Sequence, residues 1–268
     1  MNEKTSQAHV LTRQKGSCFE IILNRPDKRN AISLELWDEF DAAIKSAQRL
    51  PGLRCVLIRG EGKSFSTGAD VTTFMALKEL YGSGWVHKGR IIAASVQSVV
   101  NRLEKLELPT IALLQGHCLG MGLELALACD FRIGSDELKL GLPETRLGLI
   151  PDVGGTTRLT RLLGPTRAKE MILTGRSINA STALNYGLLS EMVPLEDLEN
   201  AGQRWAQELS QTAPLAVGLA KRVIDSVTEQ DRGFELEGWA QSQLYGTQDF
   251  HEALQSFAEK RTPEFKGL

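Results

Sequence analysis

A chain of 268 residues with 42% hydrophobic residues, 24% charged residues and a formal net charge of −2 has the composition of a globular protein. These values exclude a disordered chain and a coiled coil, and they argue against nucleic-acid binding, which usually needs a basic excess. The longest apolar stretch, residues 111–129, is interrupted by Gln115, His117, Glu124 and glycines, so no membrane span is predicted.

The N-terminus and the cysteines predict the compartment. Residues 1–7 contain neither an apolar segment nor an Arg-rich amphipathic stretch, so we expect a cytoplasmic protein. Cys18, Cys55, Cys118 and Cys129 form no CxxC pair and no zinc-binding spacing. We therefore expect small core residues and no metal site.

The N-terminal part of the chain alternates strand and helix signals. Val10 to Arg13 and Cys18 to Leu23 predict a strand pair that turns at Lys15-Gly16, and Cys55 to Ile58 predicts a buried strand. Between them, Ser33 precedes an amphipathic helix with its apolar residues at helical spacing.

A second cycle of helices and strands follows. Residues 72–89, with three glycines and little periodicity, predict a mobile surface segment. Repeated alternation indicates an α/β core with a largely parallel sheet. The predicted elements are a helix around 91–106, a strand at 110–114, a helix at about 122–128 and a strand at 129–133.

After Pro194 only helices are predicted, and we place the domain boundary there, giving a core of residues 1–197 and a helical region of residues 198–268. The predicted helices are Leu195 to Leu209, Pro214 to Val227, Gly233 to Tyr245 and Phe250 to Glu259. Their apolar stripe predicts packing on the core and on neighbouring subunits. It consists of Trp205, Leu209, Leu219, Val223, Leu236, Trp239 and Leu244.

Three acids and two glycine-rich turns are the candidate site residues. Glu124 is the one charge in the twelve-residue run from Cys118 to Cys129 and lies on a short helix that is otherwise apolar, so it either satisfies local amides or has a raised pKa and a chemical task. Glu144 after Pro143 is an ordinary helix start, and Asp152 has the position of a loop or cap residue before a helix beginning at Thr156.

The turns at Phe65 to Asp70 and at Gly120-Met121 each offer outward amides at a helix start, as an oxyanion site requires. Arg25, Lys28 and Arg29 form a basic loop that suits either a phosphate or a solvated turn.

Taken in order, these segments resemble the enoyl-CoA hydratase/isomerase, or crotonase, superfamily. The resemblance depends on ordered motifs: Phe65-x-x-Gly-Ala-Asp70, Gly116-x-x-x-Gly-x-Gly-x-Glu-Leu-Ala-x-x-Cys-Asp130, Pro143-Glu-x-x-Leu-Gly148, Gly154-Gly-Thr-x-Arg-Leu159, Leu173-Thr-Gly-Arg176 and Phe257-x-Glu-Lys-Arg261.

The resemblance implies a crotonase-like (ClpP/crotonase) spiral ββα core with a C-terminal all-helical oligomerisation region, assembled as a homotrimer or a dimer of trimers. It implies an acyl-CoA thioester substrate, with coenzyme A entering as part of the substrate and no other cofactor. The thioester oxygen would lie between the amides of Ala69 and Met121, and Glu124 and Glu144 would match the glutamates that hydratases use on 2-enoyl-CoA.

Asp152 lies where dienoyl-CoA isomerases and hydroxyisobutyryl-CoA hydrolases carry a working aspartate, so an isomerase and a thioester hydrolase are alternatives. Because many members have glycine where Met121 stands, we expect the backbone there to keep a negative φ. The resemblance also implies a set of residues that bind the substrate and its CoA: Arg25, Lys28, Arg29, Ala31, Ser66, Gly68, Asp70, Gly120 and, toward the CoA phosphates of an adjacent subunit, Lys260.

Overall fold

The computed structural model describes residues 8–70, 72–73, 79, 89–147, 149–227 and 247–268. The strands of these residues are β1 (Val10–Lys15), β2 (Cys18–Leu23), β3 (Cys55–Gly60), β4 (Thr110–Leu114), β5 (His117–Leu119), β6 (Phe131–Ser135), β7 (Lys139–Gly141), β8 (Ile178–Asn179) and β9 (Glu191–Val193). The α-helices are α1 (Leu34–Arg49), α2 (Gly89–Glu104), α3 (Met121–Leu127), α4 (Gly155–Thr174), α5 (Ala180–Tyr186), α6 (Leu198–Ser210), α7 (Pro214–Ser226) and α8 (Gln248–Glu259). Short 3-10 helices lie at Pro26–Lys28, Glu144–Leu147 and Leu195–Asp197.

Two sheets organise the molecule. The larger has the strand order β1-β2-β3-β4-β6-β9, with β1 antiparallel to β2 and every other pair parallel. The smaller has the order β5-β7-β8. The predicted α/β core with a largely parallel sheet is therefore confirmed.

Both faces of the large sheet are buried, which explains why its central strands are continuously apolar. Val56 and Ile58 of β3 point into the larger core, and Leu57 between them points into a second core on the opposite face. The alternation of side chains along a strand separates the two sets.

Helix α1 covers the larger core. Ser33 caps its first turn, with Oγ accepting a hydrogen bond from the amide of Leu36 at 3.3 Å. Leu36, Phe40 and Ile44 then follow at helical spacing and are fully buried. The helix predicted from Ser33 is confirmed.

The C-terminal region supplies the cover for the second core. Leu198 and Ala201 of α6 belong to that core, and Trp205 and Leu209 pack against it. Helix α7 is fixed by Lys221, whose ammonium donates to the carboxylate of Asp130 at 2.8 Å. The expected packing on the core is confirmed for α6. Leu236, Trp239, Leu244 and the predicted helix at Gly233 to Tyr245 lie outside the described residues.

Several predicted boundaries were wrong by one to three residues, as for the helix predicted from Leu195, whose α-helical part begins at Leu198. The strand placed at residues 129–133 runs from Phe131 to Ser135, because the amides of Ala128 and Cys129 still donate to carbonyls of α3. The helix expected to begin at Thr156 begins at Gly155. Most of the surface segment predicted at residues 72–89 lies outside the described residues. Within the described residues no helix is both long and apolar enough to cross a bilayer.

Candidate active site

Two backbone turns meet beside β5, one at Phe65 to Asp70 and the other at Gly120-Met121. Ser66 and Cys118 form an isolated parallel bridge, and the amide of Leu119 donates to the Ser66 carbonyl at 3.0 Å. A Cβ added to Gly68 would lie 3.5 Å from the amide nitrogen of Met121, so the two turns are in contact.

Each of these turns leaves one amide unpaired. In the described part of the chain, neither the amide of Ala69 nor that of Met121 has a hydrogen-bond partner. Two free N–H groups on adjacent turns, one of them opening a helix, suit a developing negative charge on a ligand oxygen.

The second turn requires an unusual backbone conformation at Gly120. It has φ 52° and ψ −130°, which a side chain would disfavour, and it is the N-cap of α3. Met121 is not among the described residues with positive φ, as expected. A methionine is therefore accommodated at this position without backbone strain.

Glu144 lies directly against the turn at Gly120. A Cβ added to Gly120 would be 2.9 Å from Oε1 of Glu144, and Oε2 is buried with no hydrogen-bond partner among the described residues. Burial raises the pKa of Glu144, and the negative charge of Asp152 raises it further. The acid has the position of a helix start, yet its carboxyl faces the site.

Glu124 is 2% exposed and is held by backbone amides. Its Oε1 accepts hydrogen bonds from the amides of Val153 and Gly155, each at 2.8 Å. Burial raises the pKa of Glu124 to about 8 in spite of these amides, and the charges of Glu144 and Asp152 contribute. Glu124 thus satisfies local amides and also has a raised pKa, and its chemical task stays a prediction.

Asp152 lies before α4 but is not its cap. The helix is capped by Gly154 and has no acid in its first turn. Burial raises the pKa of Asp152, although solvent still reaches the residue. Asp152 raises the pKa of both glutamates, which identifies the three acids as one electrostatic group.

The three basic residues of the loop, Arg25, Lys28 and Arg29, differ in their contacts and exposure. The guanidinium of Arg25 donates to Asp70 at 3.0 Å and to the carbonyl of half-buried Ala31, so Arg25 and Asp70 tie two loops together. Lys28 and Arg29 are exposed. Of the three basic residues, these two are the ones available to a phosphate.

Two further predicted binding residues, Ser66 and Lys260, differ in burial and in their contacts. Ser66 is fully buried, and its Oγ donates to the carbonyl of Asn30 at 2.8 Å and accepts from the amide of Gly68. Lys260 is exposed beyond the end of α8, and no hydrogen bond or ion pair joins it to the described part of the site. Its contact with CoA stays a prediction.

Sequence reasoning missed Asn30. This residue is fully buried with φ 54°, its Oδ1 accepts from the amide of Arg25, and its Nδ2 donates to the carbonyls of Glu61 and Ser64. An asparagine directly after a basic turn was the available signal, because asparagine tolerates left-handed backbone better than most residues. In the described residues no group of three or more His, Cys, Asp or Glu could hold a metal.

Comparisons with known proteins decide the family. The family model described as enoyl-CoA hydratase/isomerase matches residues 13–268. The chain belongs to the enoyl-CoA hydratase/isomerase family. It is 34% identical over 259 residues to a short-chain-enoyl-CoA hydratase of Clostridium acetobutylicum, covering 96% of this chain and 97% of the relative.

Further relatives of this family agree with the fold. A mitochondrial enoyl-CoA hydratase domain-containing protein 2 of Mus musculus is 37% identical, covering 97% of this chain and 88% of the relative. The crystal structure of an enoyl-CoA hydratase from Bacillus anthracis superposes with a TM-score of 0.90 at 36% identity, covering 97% of this chain and all of the other. The predicted crotonase-like fold is confirmed, and the protein is an enzyme of this family.

Proposed function

We propose that the protein adds water across the double bond of a 2-enoyl-CoA. The observation that carries the proposal is the position of Glu144, a carboxyl with a raised pKa, against Gly120 in the turn that presents the amide of Met121. This amide and that of Ala69 have no hydrogen-bond partner among the described residues. Relatives named as enoyl-CoA hydratases support the same reaction.

In this reaction the thioester oxygen accepts hydrogen bonds from the amides of Ala69 and Met121. They stabilise the negative charge that moves onto that oxygen when water attacks the β-carbon. A base removes one proton of the water as the new C–O bond forms, and an acid delivers a proton to the α-carbon as the enolate collapses. The product is the 3-hydroxyacyl-CoA, and no redox cofactor takes part.

Glu124 and Glu144 supply the base and the acid. Both pKa values are raised, and the negative charge of Glu144 raises that of Glu124, so ionising both is unfavourable. Hydration requires a pair that holds one proton, and the unfavourable ionisation of both carboxyls supports that state. The amides of Val153 and Gly155 leave Oε2 of Glu124 for the reactants.

An isomerase of dienoyl-CoA is the second candidate, because Asp152 acts electrostatically on both glutamates and could take a proton from the far end of a dienoyl chain. A thioester hydrolase is a third candidate. The family's hydrolases carry an aspartate at the position of Asp152, but they lack an acid at the position of Glu124.

A substrate panel tests these candidates. The protein is incubated with crotonyl-CoA, longer 2-enoyl-CoAs, a 3,5-dienoyl-CoA and 3-hydroxyisobutyryl-CoA. We expect loss of the conjugated enoyl absorbance and formation of the 3-hydroxyacyl-CoA. Turnover of the dienoyl-CoA alone would favour the isomerase, and release of free CoA alone would favour the hydrolase.

We further propose a homotrimer or a dimer of trimers in the cytoplasm. Exposed apolar side chains on the single chain support assembly: Leu147, Ile150, Leu173 and Ile224 are each at least 66% exposed. Cell fractionation tests the compartment, for which the mitochondrion of the mouse relative is the alternative.

A further inference from the structure

A polar stripe on α2 contacts the loop that holds Glu124. Gln97, Asn101 and Glu104 are spaced four and three residues apart, so they lie on one face of α2. The side-chain amide of Gln97 donates through Nε2 to the backbone carbonyl of Asp152, and the side chains of Asn101 and Glu104 accept hydrogen bonds from Arg158 of α4.

Arg158 connects this stripe to the backbone beside Glu124. One of its terminal nitrogens, Nη2, donates to Asn101 at 2.7 Å and to Glu104 at 2.6 Å. The other, Nη1, donates to the carbonyl of Val153 at 3.2 Å. The amide of that same Val153 donates to Glu124.

The local backbone is shaped around this guanidinium. Gly154 has φ 97°, and a Cβ there would lie 1.8 Å from Nη1 of Arg158. The residue between the two amides that hold Glu124 must therefore be a glycine, both for its backbone conformation and for the space that Arg158 occupies.

A purely structural reason does not explain Arg158 well. Its side chain is 8% exposed, and its Nε is buried without a hydrogen-bond partner in the described residues. An apolar side chain would fill such a site without burying a charge or an unsatisfied donor.

We propose that Arg158, clamped by Asn101 and Glu104, is a positioning residue that fixes the amides of Val153 and Gly155 on Glu124. This inference rests on the proposed hydration for its kinetic consequence, but its geometric part is independent of the reaction. Arg158 touches neither substrate nor reacting atoms in this scheme.

The expected consequence has a definite sign. The two amides lower the pKa of Glu124, whereas burial and the charges of Glu144 and Asp152 raise it. Loosening the amides therefore raises the pKa further, so the alkaline fall of kcat/KM moves to higher pH. The side chain of Glu124 also loses its fixed orientation, so kcat falls while KM, which reports CoA binding, stays within about twofold.

The test compares Arg158→Met with Arg158→Lys and with the control Arg161→Met. Arg161 lies on the same helix, but its side chain is 47% exposed. Its Nη1 lies 3.8 Å from Oε1 of Glu104, a longer contact than the 2.6 Å of Arg158. We expect at least about a tenfold loss of kcat in Arg158→Met, a smaller loss in Arg158→Lys and nearly wild-type rates in the control. If Arg158→Met fails to fold, Glu104→Gln and Asn101→Ala weaken the contacts of Arg158 in its place. Both variants must then move the alkaline fall of kcat/KM to higher pH, by less than Arg158→Met would.

A carbon-13 NMR titration of the Glu124 carboxyl, assigned with Glu124→Gln, separates this inference from the proposed reaction. If no 2-enoyl-CoA is hydrated, the proposed function fails, yet a raised pKa of Glu124 in Arg158→Met still supports the positioning role. An unchanged Glu124 titration in folded clamp variants would overturn it, whether or not thermal stability changes.

Discussion

Glu124 and Glu144 are the residues on which the proposed reaction depends. Replacing either by glutamine keeps size and hydrogen-bonding capacity but removes proton transfer. We expect each variant to lower kcat for crotonyl-CoA by at least about 10²-fold, within the range for lost general acid–base catalysis, while substrate binding survives. Wild-type turnover by either variant would remove that residue from the mechanism.

The raised pKa of Glu124 predicts how the rate depends on pH. A raised pKa means that the folded protein keeps this proton to about pH 8, where an ordinary glutamic acid would have lost it near pH 4.5. We expect kcat/KM to fall as pH rises through about 8, because the pair then loses its last proton. A profile that stays flat to pH 10 would contradict a shared proton.

Asp152 adjusts the other two acids. Asp152→Asn removes a negative charge that raises the pKa of both glutamates, so the alkaline fall of kcat/KM should move to lower pH. We expect crotonyl-CoA hydration to stay within about tenfold of wild type, which is roughly 1.4 kcal/mol or less in transition-state stabilisation.

The same variant also distinguishes the two candidate reactions. If Asp152→Asn retains hydration but loses conversion of a 3,5-dienoyl-CoA, the isomerase becomes the better description. If hydration itself collapses, the assignment of roles among the three acids is wrong.

At the scale of elements, the start of α3 offers a direct test of the oxyanion site. Met121 is the first residue of that helix, where proline is compatible with the helix and replaces the N–H by its ring Cδ. Met121→Pro should lower kcat by about 10²–10³-fold, the usual effect of removing one oxyanion-hole donor. Met121→Ala keeps the amide and serves as the control.

Near-wild-type kinetics in Met121→Pro would show that this amide does not hold the thioester oxygen. A parallel measurement of the unfolding temperature separates a damaged helix start from a missing hydrogen bond.

The larger elements were predictable because their signals are long and local. The helix after Ser33 and the strands at Cys18 and Thr110 carry a cap, a period or a continuous apolar run. The smaller sheet was missed, since β5, β7 and β8 have only two or three residues each and show no period.

Contacts between distant residues were beyond local reasoning. The Arg25 to Asp70 ion pair spans 45 positions, and the amides on Glu124 come from residues 29 and 31 positions away. The motifs predicted the candidate residues, of which Glu124, Glu144 and Asp152 form one electrostatic group. They did not predict that the site is fixed through α2.

At the scale of the whole molecule, assembly is the main testable expectation. Leu147 and Ile224, both more than 70% exposed, would be covered in a homotrimer or a dimer of trimers. We expect light scattering at micromolar concentration to give the mass of three or six chains, against 29.5 kDa for one. A monomer would contradict this proposal.

The cover of the second core has a consequence for biosynthesis. Leu57, Ile111, Leu113 and Ile133 of the large sheet face α6, which begins only at Leu198. Among the described residues the helical cover of this face comes from α6, so on the ribosome the face lacks that cover until about three quarters of the chain has been made. The nascent chain is therefore expected to bind chaperones at this face and to complete its folding late, after α6 has left the exit tunnel.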